Sequence, residues 1–198
     1  LQFILEKLVR PNDGRLLARY RDGEAAFPAY VDDYAFLVWG LIELYSTTFK
    51  PRYLEKALQF NDDMIKLFFD NDRGGLYLYG NDSEQLIARP KEVYDGAMPS
   101  GNSVATMNFL RLSKLTGQSK LEELADRQLK VFSSSLRSSP MGHAFLLCSL
   151  LFVRSAAKEV VITGNNSRNE EILSMIDILR SKFNPFVTVL LSTDDLRD

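Results

Sequence analysis

Asp33–Thr47, DYAFLVWGLIELYST, is the stretch on which the fold turns. Wound as a helix, it puts Tyr34, Phe36, Leu37, Val38, Trp39, Leu41, Ile42 and Tyr45 on every side, and a helix that is apolar all round is one surrounded by protein. The segment that follows, Arg52–Phe69, behaves differently. Leu54, Ala57, Leu58, Ile65 and Phe68 keep a 3.6-residue spacing, while Glu55, Lys56, Asp62 and Lys66 fill the opposite face. That helix has water on one side and protein on the other.

The alternation repeats downstream. After a short strand-like piece at Leu76–Tyr79 comes a mostly apolar helix over Ser103–Leu115, stopped by Thr116-Gly117. Ser119 and Glu122 have capping-box spacing and open a polar-faced helix to about Leu136. Pro140 suits the first turn of another apolar helix, Met141–Val153. An inner, outer, inner, outer, inner order is that of helical hairpins set in a ring, where outer helices cover the backs of inner ones. The expected architecture is therefore mainly α, a partial α/α toroid over residues 1–156. Inner-helix starts are 69 residues apart from Asp33 to Asn102 and 41 from Asn102 to His143, so the unit is no tight repeat. A closed six-hairpin ring takes roughly 300 residues, and 198 residues supply about half.

After Ser155 the character changes. Glu159–Thr163 (EVVIT) and Phe186–Ser192 (FVTVLLS) are rich in β-branched residues and flank a helix from about Asn169 to Phe183, with Ser167 and Glu170 in capping-box spacing. Residues 157–198 read as a small βαβ appendage with a parallel strand pair, packed on the toroid.

Lys+Arg 24 against Asp+Glu 26 gives a formal charge of −2 with no basic run, which argues against a nucleic-acid partner. The longest apolar runs, Tyr34–Ile42 and Ala144–Val153, are too short to span a bilayer, so no membrane association is expected. A single cysteine, Cys148, lies in an apolar run, which suits a reducing, cytoplasmic setting and predicts a buried, inert thiol. One cysteine and one histidine make a zinc site improbable, and no cofactor is expected. Asp70–Gly75 (DNDRGG) has a calcium loop's glycine in sixth place, but Asn81 stands in the twelfth, and the segment reads as a helix-ending turn. The opening Leu1-Gln2 lacks a methionine or signal segment and reads as the interior of a longer protein.

Polar residues cluster where inner helices begin. Asp32 and Asp33 can cap a helix, or one of them can stand in the cleft as acid, base or hydroxyl ligand. Neighbours on a helix do not face each other, so a working partner for Asp33 would be Asp95. In Tyr94–Ser103 (YDGAMPSGNS), Gly96, Pro99 and Gly101 constrain the backbone just before an inner helix, while Asp95, Ser100 and Asn102 supply polar groups for a cap or a site. Arg89, with Lys91 nearby, could set a cation beside Asp95 or form a surface salt bridge. His143 opens the third inner helix as a proton shuttle, a hydroxyl ligand or a packed structural residue. Tyr30, Tyr34, Trp39, Tyr77 and Tyr79 include candidates for stacking on a sugar ring. The resulting candidates are Asp33, Asp95 and His143 for catalysis, with Asp32, Tyr34, Arg89, Tyr94, Ser100 and Asn102 for binding.

Three strings, YVDDYAFL at Tyr30–Leu37, GLIELY at Gly40–Tyr45 and YDGAMPSGNS at Tyr94–Ser103, resemble the C-terminal region of the YyaL-like proteins, bacterial relatives of a mammalian spermatogenesis-associated protein. The resemblance implies an upstream thioredoxin-like domain and the rest of a six-hairpin toroid similar to those of N-acylglucosamine 2-epimerases and several glycosidases. It implies a carbohydrate-like ligand, as a sugar isomerase or glycosidase-like enzyme. The epimerases move protons with histidines, whereas this chain has only His143, so that mechanism has no matching residues here. A non-catalytic interaction module serving the thioredoxin-like domain is the competing reading, and a half-toroid that pairs with a second copy is a third.

Overall fold

The computed structural model describes residues 1–84, 88–155 and 157–196. The chain is mainly helical. A short α1 (Gln2–Lys7) leads into a β-hairpin of β1 (Leu17–Arg21) and β2 (Glu24–Pro28), absent from the sequence-based expectation. Its two-residue turn places Asp22 at φ 53° and Gly23 at φ 87°. Two positive φ angles match the right-handed twist of the flanking strands, which is why Asp-Gly favours such a turn.

The helices then follow in hairpins: α2 (Val31–Thr48) and α3 (Pro51–Phe68), α4 (Gly101–Thr116) and α5 (Ser119–Val131), then α6 (Ser133–Ser138), a 3-10 turn at Pro140–His143 and α7 (Ala144–Arg154). The helix α2 packs on α3 and α4, and α4 packs on α5 and α7, so α2, α4 and α7 form an inner row backed by α3 and α5. Position in the row decides burial. The central α4 is covered on nearly every side, from Gly101 through Leu115, whereas α3 buries one stripe, Ala57, Phe60, Asn61, Met64 and Phe68. Gly117 ends α4 at φ 71° and donates its N–H to Ser113 O, as the Thr-Gly pair predicts.

Other expected local features differ. Leu76 makes only an isolated bridge with Phe69, so Leu76–Tyr79 is an extended strip and not a strand. Its main chain still pairs: Leu78 O accepts from Val31 N at 3.0 Å, and Leu78 N donates to Pro90 O at 2.9 Å. Ser119 makes no capping box, because the cap residue of α5 is Gln118 and Glu122 turns instead toward Lys114, 3.9 Å away. Pro140 opens the 3-10 turn and not α7 itself. Asp70–Gly75 is a turn closing α3: Gly74 N donates to Asp70 O, and Asp72 N and Arg73 N donate to Asp70 Oδ1.

The tail is β3 (Lys158–Gly164), α8 (Glu170–Arg180) and β4 (Val187–Thr193), the strands parallel and in register from Lys158↔Val187 to Gly164↔Thr193. The domain boundary expected at residue 156 lies outside the described residues. Here too the cap differs from expectation, with Asn169 accepting from Glu171 N while Ser167 bonds to Asp195. The appendage sits on the helices: β4 packs on α4, the rings of Phe152 and Phe186 meet edge to face at 6.1 Å, and Arg180 donates to Ser46 O and Thr47 O at the end of α2. Those carbonyls have no intrahelical partner, so a guanidinium is suited to them by charge and by hydrogen bonding. Among the described residues no helix is long and apolar enough to cross a membrane.

Candidate functional site

The starts of α2, α4 and α7 are tied together by carboxylates that cap helices other than their own. Asp33 Oδ2 accepts from Tyr30 N at 2.8 Å, an ordinary cap of α2. Asp32 Oδ1 instead accepts from Gly101 N at 2.7 Å, the first residue of α4. A Cβ on Gly101 would collide with this carboxylate, so glycine is what permits the two helix starts to approach. Ser100 caps α4 from within, its Oγ accepting from Ser103 N at 3.2 Å. Asp95 serves α7: Oδ2 accepts from Phe145 N at 2.8 Å and Leu146 N at 3.2 Å, while Oδ1 accepts from Ser100 N at 2.9 Å. Free N–H groups and the helix dipole both favour a negative charge at these places.

Asn102 is not a cap. It is buried at 1% exposure, where Oδ1 accepts from Leu76 N at 2.7 Å and Nδ2 donates to Leu76 O at 2.9 Å and Glu92 O at 2.7 Å. It clamps the extended strip onto α4. His143 is also buried, with Nδ1 2.7 Å from Ser139 O; a carbonyl only accepts, so Nδ1 carries the hydrogen. Tyr94 is exposed, edge-on to His143 at 6.4 Å and so close over Gly142 that a Cβ there would lie 2.9 Å from its ring.

Several expected site residues thus have other work. Both oxygens of Asp95 are engaged by backbone, so its pairing with Asp33 as acid and base is replaced by a capping role. Tyr34 is fully buried, its hydroxyl accepting from Arg15 Nη1 and Leu16 N. Arg89 donates to Tyr79 O and lies 4.1 Å from the Tyr77 ring, and Lys91 pairs with Asp70, so neither stands beside Asp95. Cys148 is exposed and not buried, because the face of α7 that carries it points away from α4. Replacing Asp95 by alanine is expected to cost about 2 kcal/mol and to speed amide hydrogen exchange at Phe145 and Leu146, with asparagine costing about half as much. Unchanged exchange at those amides would contradict the capping role.

Asp32 and Asp33 are left facing a cavity. A groove of about 610 Å3 runs along α2 between Ile4, Leu8, Leu17, Leu37 and Gly40, with Met98 at its rim and the two aspartates in its wall. Asp95, Asn102 and His143 do not line it. Burial pushes the Asp32 carboxyl above its ordinary range; the Gly101 N–H opposes this, while Glu92 and Asp33 add to it. Burial raises Asp33 as well, against the Tyr30 N–H and the charge of Arg15. Among the described residues no ion pair reaches either carboxylate, and the capping bonds occupy only Asp32 Oδ1 and Asp33 Oδ2.

This arrangement sits on a chain with clear relatives. It is 30% identical to human spermatogenesis-associated protein 20 over 167 residues and 32% identical to the mouse protein over 169, in each case 84% of this chain. Over most of its length the chain is homologous to spermatogenesis-associated protein 20. An uncharacterised protein of Caenorhabditis elegans is 28% identical over 176 residues. No family model matches. The chain spans about a fifth of the length of these relatives, 21% of the mammalian proteins and 24% of the nematode one.

Sequence reasoning missed one further group in this region. Arg15, exposed by only 5%, donates through Nε to Asp82 Oδ2 at 2.7 Å, through Nη2 to Ala29 O at 3.1 Å and through Nη1 to Tyr34. It locks the hairpin and the loop after α3 to the side of α2. No local pattern announces it, since its carboxylate partner is 67 residues away.

Proposed function

We propose that this region is an arc of a helical-hairpin toroid whose mouth receives a small carbohydrate-derived ligand, held by Asp32 and Asp33. The observation that carries the reading is a pair of half-buried carboxylates, with no ion-pair partner among the described residues, in the wall of a groove whose volume lies within the usual range of ligand pockets. Hydroxyl groups of a sugar would donate to Asp32 Oδ2 and Asp33 Oδ1, and a hydrogen bond to a charged acceptor is worth roughly 1.5–3 kcal/mol. A carboxyl raised by burial also suits a general acid in a sugar isomerase or glycosidase-like reaction. In this reading Asp95, Ser100 and Asn102 are positioning residues, and His143 is held by Ser139 at the start of α7.

Calorimetric titration with a panel of neutral and amino sugars tests it. At least one is expected to bind, and Asp33→Asn, whose amide oxygen can still accept from Tyr30 N, is expected to weaken it by about 10- to 100-fold with the fold unchanged. No binding across the panel, or equal affinity in the variant, refutes the proposal.

A second reading, a non-catalytic interaction module serving a thioredoxin-like domain, is favoured by one observation: Met141 in the turn before α7, and Cys148 and Leu151 on α7, are exposed. It expects no sugar to bind, and retention of the thioredoxin-like part of the longer protein on this region.

A further inference from the structure

The composition of the groove along α2 narrows what can fill it. Of the fourteen residues in its wall, twelve are Leu, Ile, Phe, Ala, Gly or Met, and the other two are Asp32 and Asp33 at the start of the helix. The charge at that end does not balance. Asp32 caps α4 and Asp33 caps α2, and a helix N-terminus offers roughly half a positive charge. Two such termini set against two carboxylates leave about one negative charge over. Arg15 acts on Asp33 but is already ion-paired with Asp82 at 2.7 Å, and Glu92 adds negative charge beside Asp32. Holding that excess in an apolar wall is costly, and a ligand with a single positive charge removes the cost.

The rest of the groove does not suit a bare sugar. Leu37, Gly40, Leu41 and Leu44 follow one another along α2, and Leu44 lies roughly 16 Å beyond Asp33 at the helical rise per residue. Ring hydroxyls set against these side chains would lose water and gain no partner, whereas methylenes would be buried favourably. Space is open above Gly40, where an added Cβ meets nothing within 4 Å. We propose that the groove takes a singly charged cationic amphiphile, with a protonated amine at the Asp32 and Asp33 end and an apolar chain running over Gly40 toward Leu44. The proposal rests on the reading of this groove as a carbohydrate site, within which the ligand is an amino sugar carrying an apolar aglycone. The amine supplies the missing charge, sugar hydroxyls donate to the open carboxylate oxygens, and the aglycone covers the leucines.

Calorimetry with methyl and hexyl glucoside and the 2-amino form of each tests both halves. The amino form of hexyl glucoside is expected to bind at least about 10-fold more tightly than hexyl glucoside itself. It should also exceed its methyl counterpart by at least about 50-fold, since each buried methylene is worth about fourfold in affinity. Asp33→Asn should abolish most of the advantage of the amine. Gly40→Leu fills the floor at a helix-interior position that accepts leucine readily, and should abolish the advantage of the hexyl chain while the methyl glycosides bind as before. Equal binding of hexyl glucoside and its amino form overturns the charged end, and a hexyl chain or Gly40→Leu without effect overturns the apolar chain; the carbohydrate reading survives either result. If none of the four binds, the carbohydrate reading fails and hexylamine decides the proposal. Hexylamine binding that is lost in both variants keeps it, and no binding overturns it.

Discussion

Asn102→Leu is expected to remove a large part of the stability of the helical part, about 4 kcal/mol, measured as a fall in the urea midpoint at constant slope. The amide makes three hydrogen bonds to main-chain groups, at 1% exposure, and leucine replaces none of them. Leu76 N–H would be left without its acceptor, and Leu76 O and Glu92 O without their donor. A buried polar group stranded in this way costs about 1–3 kcal/mol, against a total stability of about 5–15 kcal/mol for an ordinary domain. Asn102→Asp keeps an acceptor for Leu76 N–H but turns a carboxylate oxygen toward two carbonyls, and is expected to be no better tolerated. Asn102→Ala should be at least as damaging as leucine, since it adds a cavity to the same three losses. A cost below about 1 kcal/mol for leucine would show that the strip from Leu76 to Tyr79 is held mainly by its other bonds.

The alternation of inner and outer helices was legible because burial on all sides and burial on one side leave different periodicities. The βαβ tail was legible for the same reason, with β-branched runs bracketing a helical period. The hairpin at Leu17–Pro28 carries a local signal, Asp22-Gly23, but its strands do not alternate, being half-buried only at Leu17, Tyr20, Ala25 and Ala26; Phe3 meets Tyr20 edge to face there. Ser119 and Ser167 show the limit of spacing rules. A capping box states which residues could close a helix start, and tertiary partners at Lys114 and Asp195 decide which do.

The candidate site was half legible. That Asp32, Asp33, Asp95, Ser100 and Asn102 would gather at inner-helix starts followed from where the helices begin. Which of them would stay open to a ligand did not follow, because the bonds that occupy Asp95 run to Phe145 and Leu146, 50 and 51 residues on. Two peptide N–H groups look identical in any sequence. Cys148 was misread for a related reason: an apolar run tells that a helix wants cover, not that the cover lies within the chain.

Lys91→Met gives the second large effect, and its pH dependence identifies the cause. Burial works against a charge on Asp70, yet Lys91 Nζ at 2.7 Å, the backbone N–H groups of Arg73 and Asp72, and the Tyr77 hydroxyl at 2.7 Å together hold its carboxyl well below the usual range. Because the folded value is the lower one, Asp70 adds stability that is present above the unfolded carboxylate value of 3.8 and is lost as pH falls through the folded value. Removing the ammonium strands a carboxylate whose side chain is only 7% exposed, which should cost about 3 kcal/mol at pH 7. It also raises the carboxyl toward its ordinary range, so the variant takes up its proton earlier as the solution is acidified. The gap between wild type and variant should therefore stay flat near neutrality and narrow only as the pH falls through the variant's carboxylate value toward the lower value of the wild type. Adding Asp70→Asn to Lys91→Met should recover part of the loss at pH 7 and flatten that dependence, since no buried charge is then left unpaired. A gap that stays constant with pH would mean that Lys91 acts through its bond to Gly74 O and its packing on Tyr77, and not through the charge of Asp70.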